Sequence, residues 1–192
     1  MLAKDEIIEA LKKTEALEEG HFKLSSGLHS DKYVQCAKIF QYPWVASKLC
    51  KDLSQKITIG NIDKIAGPAM GGILPAYEMS KILSKPNVFS ERDRKENDEM
   101  KFRRGFRIQP GEKILVVEDV ITTGKSVQEI IEAIESNGGE VSLIASLIDR
   151  SQGKAGFDVP YVSLIELDIN TYEPNICPLC AKNIPLIKPG SR

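Results

Sequence analysis

Near the middle of this 192-residue chain runs Ile114-Leu115-Val116-Val117-Glu118-Asp119-Val120-Ile121-Thr122-Thr123-Gly124-Lys125-Ser126, and few folds can accommodate it. An unbroken apolar stretch is the pattern of a strand buried on both faces of a parallel sheet. It ends in two adjacent carboxylates. Hydroxyl residues and a glycine follow, and the spacing of Val127, Ile130, Ile131 and Ile134 predicts a helix over 123–134. A strand that feeds a helix through a polar turn is half of a βαβ unit, and open α/β sheets bind ligands in the crevice at the carboxyl ends of their strands. Amide groups and the hydroxyls of Thr122, Thr123 and Ser126 at the helix start suit a phosphate, whose charge the helix dipole favours. Gly124 lets the backbone come close to it.

The flanking sequence supplies more elements of the same kind. Ile7, Ile8, Leu11 and Leu17 predict an amphipathic helix over 4–17 that stops at Gly20, and Trp44, Val45, Leu49 and Leu53 predict another after Tyr42-Pro43. Residues 62–66 read as a short strand before Gly67-Pro68, 73–83 as a helix, and 141–148 and 161–165 as further buried strands. The tail beyond Glu173 is expected to be irregular. Strands alternating with helices imply an α/β fold, a central and mainly parallel sheet flanked by helices, in one domain over 1–192. Between residues 90 and 104 the composition changes to charge, with only Met100 and Phe102 apolar. Such a segment buries too little surface to order itself, so a mobile loop is expected over 90–101.

Charge and hydropathy remove several function classes. The 26 basic and 27 acidic side chains leave a net charge of −1, so no global field points to nucleic acid or to an anionic membrane. No apolar run is long enough to span a bilayer and the start has no apolar leader, so a cytoplasmic location is expected. Four cysteines, Cys36, Cys50, Cys177 and Cys180, are too few and too scattered for a disulfide framework. Cys177-Pro178-Leu179-Cys180 has the spacing of half a structural zinc site. The chain offers one such pair, so either two chains share four thiolates across a dimer axis or the pair marks an ordinary turn. His21 and His29, the only histidines, have no acid or nucleophile at triad-like spacing and receive no role.

Two familiar phosphate motifs fail on inspection. Gly124-Lys125-Ser126 ends like a nucleotide-binding P-loop, but Asp119 stands where that loop needs its first glycine, and an acidic pair there would repel a triphosphate. In a phospho-accepting receiver domain the acidic pair ends the first strand, whereas about a hundred residues precede it here.

Residues 116–126 resemble the signature of type I phosphoribosyltransferases, in which strand residues precede two acids and a Thr-Gly-rich loop. The resemblance implies that Glu118, Asp119, Val120, Ile121, Thr122, Thr123, Gly124, Lys125 and Ser126 bind phosphoribosyl diphosphate, the acids at the ribose and the loop at the 5-phosphate. Other segments are similar to the orotate phosphoribosyltransferases. These are Gly20-His21-Phe22-Lys23-Leu24-Ser25-Ser26-Gly27-Leu28-His29-Ser30-Asp31-Lys32-Tyr33, the turn Gly67-Pro68-Ala69-Met70-Gly71-Gly72-Ile73, residues 89–97, and Ile148-Asp149-Arg150. That likeness assigns Ser26, Thr122 and Arg150 to orotate, Met70, Gly71 and Arg92 to the diphosphate, and Lys95, with Glu118 and Asp119, to catalysis. A cis peptide is expected at Ala69-Met70. It further implies magnesium with no side chain as an assigned metal ligand, a homodimer whose loop acts across subunits, and a cap drawn from 1–35 and 170–192. Ser25, Met70-Gly71 and Asn97 depart from many members, which carry lysine, Tyr-Lys and histidine there. Transfer to a purine or uracil, or a non-catalytic sensor of phosphoribosyl diphosphate, are the other readings this fold allows.

Overall fold

The computed structural model describes residues 1–58, 60, 62–93 and 98–189. Its centre is a six-stranded sheet built from β3 (Lys64–Pro68), β4 (Asn87–Asp93), β5 (Glu99–Phe102), β6 (Lys113–Ile121), β7 (Glu140–Asp149) and β8 (Tyr161–Glu166), in the order β5-β4-β3-β6-β7-β8. All neighbours are parallel except β4 and β5. Helices α1 (Lys4–Lys13), α2 (Pro43–Gln55), α3 (Ile73–Leu83) and α4 (Lys125–Ser136) cover it. The alternation along β6 explains why its sequence is apolar at every position from Ile114 to Val117. Leu115 and Val117 enter one core with Leu49, Leu53 and Met79, whereas Ile114 and Val116 enter the other with Ile130 and Ile134 of α4. No helix among the described residues is long and apolar enough to cross a membrane.

A second, antiparallel sheet joins β1 (Leu17–Lys23), β2 (His29–Val34) and β9 (Thr171–Tyr172), bringing the two ends of the chain together. The sequence reading gave neither β1 nor β2. It carried the first helix to residue 17, but Thr14 turns its hydroxyl back onto the Ala10 and Leu11 carbonyls and Glu15 takes a left-handed φ of 53°. The helix therefore ends at Lys13, and Leu17 begins a strand. The β1–β2 register shifts between Glu19 and Phe22. Consecutive residues His21 and Phe22 are both buried there, which breaks the period-two pattern that betrays a strand.

The charged segment also differs from its expectation at both ends. Residues 90–93 and 99–102 pair as a hairpin, Arg92 opposite Met100 and Asp93 opposite Glu99. Composition counts charges, but pairing decides their cost. Arg104 donates to Glu91 at 2.9 Å, Arg103 lies 3.7 Å from Asp93, and Met100 and Ser90 fill the inner face. Lys95 and Asn97 lie outside the described residues. In the tail, the expected irregularity is interrupted by a 3-10 turn at Pro174–Ile176 and the short helix α5 (Pro178–Ala181).

Candidate active site

The carboxyl ends of β3, β6 and β7 lie side by side, and each delivers part of one crevice. In register, Ile65 and Ala66 of β3 face Leu115 and Val116 of β6, and Ile121 faces Asp149 of β7. The chain leaving β7 stays close, because the Arg150 N–H donates to the Ile121 carbonyl at 2.8 Å. The sequence-predicted Glu118, Asp119, the 122–126 loop, Met70-Gly71 and Arg150 are thus gathered at one edge of the sheet.

Glu118 and Asp119 close β6. Glu118 is buried and accepts the Asp119 N–H at 3.0 Å, and Asp119 accepts the Val120 N–H at 2.7 Å. Burial, and then the neighbouring charge of Asp119, push the Glu118 carboxyl well above the usual carboxylate range. Burial also raises Asp119, against the pull of its hydrogen bonds with Glu118 and Val120. Two adjacent carboxylates held in this way lack charge compensation, so hydroxyl donors or a hard cation arriving with a ligand would be favoured there.

Beyond them the loop turns into α4 around a recess of about 50 Å³ lined by Glu118 and residues 120–127. Gly124 has φ of 77°, and a Cβ on it would meet the Phe157 ring at 2.9 Å, so only glycine fits without strain. Thr123 Oγ1 accepts the Lys125 N–H at 3.4 Å, Thr122 and Thr123 are exposed, and the first turn of α4 lines this recess, as a phosphate site requires.

The turn after β3 packs against the acids with little clearance. A Cβ on Gly71 would fall 2.6 Å from Asp119 Oδ1, and one on Gly72 would fall 2.8 Å from the Val117 carbonyl. The Ala69-Met70 peptide is cis, as expected. On the β7 side, Arg150 is half-buried and burial lowers its pKa. Its Nε is buried with no hydrogen-bond partner among the described residues. A guanidinium in this state is suited to a planar carboxylate from outside the chain.

Other assigned residues are placed less directly. Arg92 pairs with Glu129 of α4 and donates to the Asp98 carbonyl at 2.9 Å, beside a separate cavity of about 690 Å³ between the hairpin and α4. Ser26 is exposed in the β1–β2 turn, and Lys95 is outside the described residues. Sequence reasoning overlooked Cys36. Its thiol points at the Asp119 carbonyl at 3.8 Å, and burial followed by the charges of Asp119 and Glu118 pushes it well above the usual thiol range. An isolated cysteine after β2 gave no signal of that position.

Comparison with known proteins agrees with the geometry. Residues 44–175 match the family model described as a phosphoribosyl transferase domain. The chain is 51% identical over 189 residues to the orotate phosphoribosyltransferase of Caldicellulosiruptor saccharolyticus, covering 98% of this chain and 97% of that one. It is 50% identical over 191 residues to the protein of the same name from Caldanaerobacter subterraneus subsp. tengcongensis, with 100% and 99% coverage. The crystal structure of orotate phosphoribosyltransferase from Aeropyrum pernix superposes with a TM-score of 0.72 at 29% identity, over 84% of this chain and 93% of that one.

Proposed function

The chain belongs to the orotate phosphoribosyltransferase family, and we propose that the crevice at the ends of β3, β6 and β7 carries out the transfer. The reaction joins orotate to the ribose 5-phosphate of phosphoribosyl diphosphate, releasing diphosphate and giving orotidine 5'-phosphate for pyrimidine synthesis. One observation carries the assignment of parts. A hydroxyl-lined helix start, two buried carboxylates and an arginine whose Nε has no partner among the described residues stand around one sheet end.

The 122–126 loop holds the 5-phosphate on the first-turn amides of α4, and Glu118 and Asp119 accept the ribose hydroxyls. As the bond to diphosphate breaks, positive charge builds on the sugar ring, and the two carboxylates stabilise it. Gly71 abuts the Asp119 carboxylate, and with Met70 it flanks the diphosphate. Magnesium would suit hard oxygen donors such as Glu118 and Asp119, which would hold it, and it would neutralise charge on the departing diphosphate. Arg150 meets the orotate carboxylate, with Thr122 beside it and Ser26 approaching from the β1–β2 turn of the small sheet, which serves as a cap.

A panel of bases offered with phosphoribosyl diphosphate and magnesium should yield product from orotate alone. Product from adenine or uracil would reassign the base, and product from none would leave a sensor. Arg150→Ala should raise KM for orotate by about tenfold or more, the loss of one charge-assisted hydrogen bond, while KM for phosphoribosyl diphosphate stays near wild type. Equal weakening of both substrates would remove Arg150 from the base site.

The charged segment that carries Arg92, which pairs with Met100 towards the far end of the β4–β5 hairpin, and Lys95 closes over a partner subunit's crevice and excludes water from the activated sugar. Exposed apolar side chains at Met70, Leu74 and Tyr77, one face of α3 and the turn before it, supply a surface for a homodimer. Sedimentation should give the mass of two chains, and mixing inactive Lys95→Ala with inactive Asp119→Asn should restore part of the activity. No recovery on mixing would place Lys95 in its own subunit's site.

A further inference from the structure

The two histidines and the tail cysteines, separate in sequence, meet at one point. His21 of β1, His29 at the start of β2, Cys177 at the entrance to α5 and Cys180 within it bring one ligand atom each into a group in which every pair lies within 4.8 Å. His21 Nε2 is 2.9 Å from His29 Nδ1 and 3.5 Å from Cys177 Sγ, and Cys180 Sγ is 3.4 Å from His29 Nδ1 and 3.8 Å from His21 Nε2. Bond lengths of about 2.0 Å to nitrogen and 2.3 Å to sulfur set the edges of a zinc tetrahedron at roughly 3.3 Å between nitrogens and roughly 3.5 Å between nitrogen and sulfur. The nitrogen–sulfur distances already span that value. The two imidazole nitrogens, at 2.9 Å, would part slightly.

The hydrogen bonding around the cluster selects the ligand atoms. His21 Nδ1 lies 2.8 Å from the Ile184 carbonyl, which can only accept, so Nδ1 carries the proton and the Nε2 lone pair faces the group. A backbone carbonyl holding the far nitrogen of an imidazole is the usual support of a metal-bound histidine. His21, His29 and Cys177 are buried, and the thiols are free rather than joined to each other.

The tail itself gives a second, independent reason for a staple. Ile176, Leu186 and Ile187 are 73%, 45% and 54% exposed, and Cys177 is the one fully buried apolar residue described beyond Ile169. Apolar burial therefore holds residues 173–189 only weakly. They nevertheless follow a defined path, with Ile187 exchanging backbone hydrogen bonds with His21 and Lys23 of β1 at 2.8 Å. Short segments with so little core are ordinarily fixed by a metal or a disulfide.

We propose that His21, His29, Cys177 and Cys180 of a single chain bind a structural zinc ion that fastens the carboxyl-terminal segment to the β1–β2 hairpin. This replaces a site shared across a dimer axis, because the histidines complete the ligand set within the chain. On binding, the two thiols lose their protons to solvent and coordinate as thiolates, and both imidazoles stay neutral. The site is closed by four protein ligands, so its role is to fix the hairpin rather than to catalyse.

Protein purified under reducing conditions without substrates should carry about one zinc per chain by elemental analysis, as expected for a closed four-ligand site. Replacing zinc with cobalt(II) should give the visible bands of a tetrahedral ion and thiolate charge-transfer absorption. In the double variant C177S/C180S both signals should disappear. Chelation of wild-type protein should speed tryptic cleavage at Lys182 while the sheet core keeps its circular dichroism. A cobalt spectrum that does not require the thiols, half an equivalent of zinc per chain, or a metal-free protein that takes up neither ion would each overturn the proposal.

Discussion

Asp119→Asn is expected to leave the fold intact and to lower turnover by about 100- to 1,000-fold, the usual effect of removing one preorganised charge from a transition state. The change preserves shape and the hydrogen bond from Val120, so circular dichroism and oligomeric state should match wild type. Glu118→Gln should cut turnover comparably, and it should also stabilise the ligand-free protein. The folded-state pKa of Glu118 is raised by burial and by Asp119. The neutral acid is therefore tolerated and the anion penalised. Stability linked to this group is fully present below the unfolded carboxylate value and is lost as pH rises through the raised folded value. Wild type thus carries the penalty at pH 8, and the amide removes it. Each 1 kcal/mol relieved corresponds to about 2–4 °C in melting temperature for a chain of this size. The gain should shrink as pH falls towards the ordinary carboxylate range. A variant that keeps full turnover, or melts lower than wild type at pH 8, would sink the view that this pair is held under tension for the ribose.

Two glycines four residues apart should fail in opposite ways. A Cβ at position 67 would lie 2.2 Å from the Gly72 carbonyl oxygen and 2.7 Å from its carbon, both backbone atoms of the turn that starts α3. Neither can yield without moving the strand or the helix. Gly67→Ala should therefore cost toward the upper end of the about 1–3 kcal/mol typical of overpacking, a fall of about 6–12 °C. Position 71 is exposed, and the nearest atoms a Cβ there would meet belong to the Asp119 carboxylate, at 2.6–2.8 Å. Gly71→Ala should melt near wild type yet lose tenfold or more in kcat/KM, equivalent to about 1.4 kcal/mol, because the displaced carboxylate gives up its aim. Thermal melts beside steady-state kinetics separate the two, and an active, stable Gly67→Ala would show that the turn has slack that its contacts deny.

Much of this was legible in the primary structure. The strand from 113, its two acids and the helix beginning near 124 follow from local rules: apolar residues at every position of a doubly buried strand, then a break to small polar residues, then helical spacing. Helices α2 and α3 announced themselves in the same way. Less visible were β1 and β2, because a bulge places His21 and Phe22 on the buried side together. The β4–β5 hairpin was hidden by its own charges, which look disordering until Arg104 is seen on Glu91 and Arg103 beside Asp93.

The sequence by itself determined the class of fold, the small-residue loop after β6 and the order of the acids and hydroxyls along it, since each is written in residues within a turn or two of one another. Only the tertiary structure decided that a bare arginine edge at 150 shares a crevice with the acids of β6, that Gly71 abuts Asp119, and that His21 and His29 meet cysteines more than 140 residues away. Those contacts arise from strand order and from where the chain ends return. Neither is encoded by periodicity, which reports the face a side chain takes and not the partner it finds there.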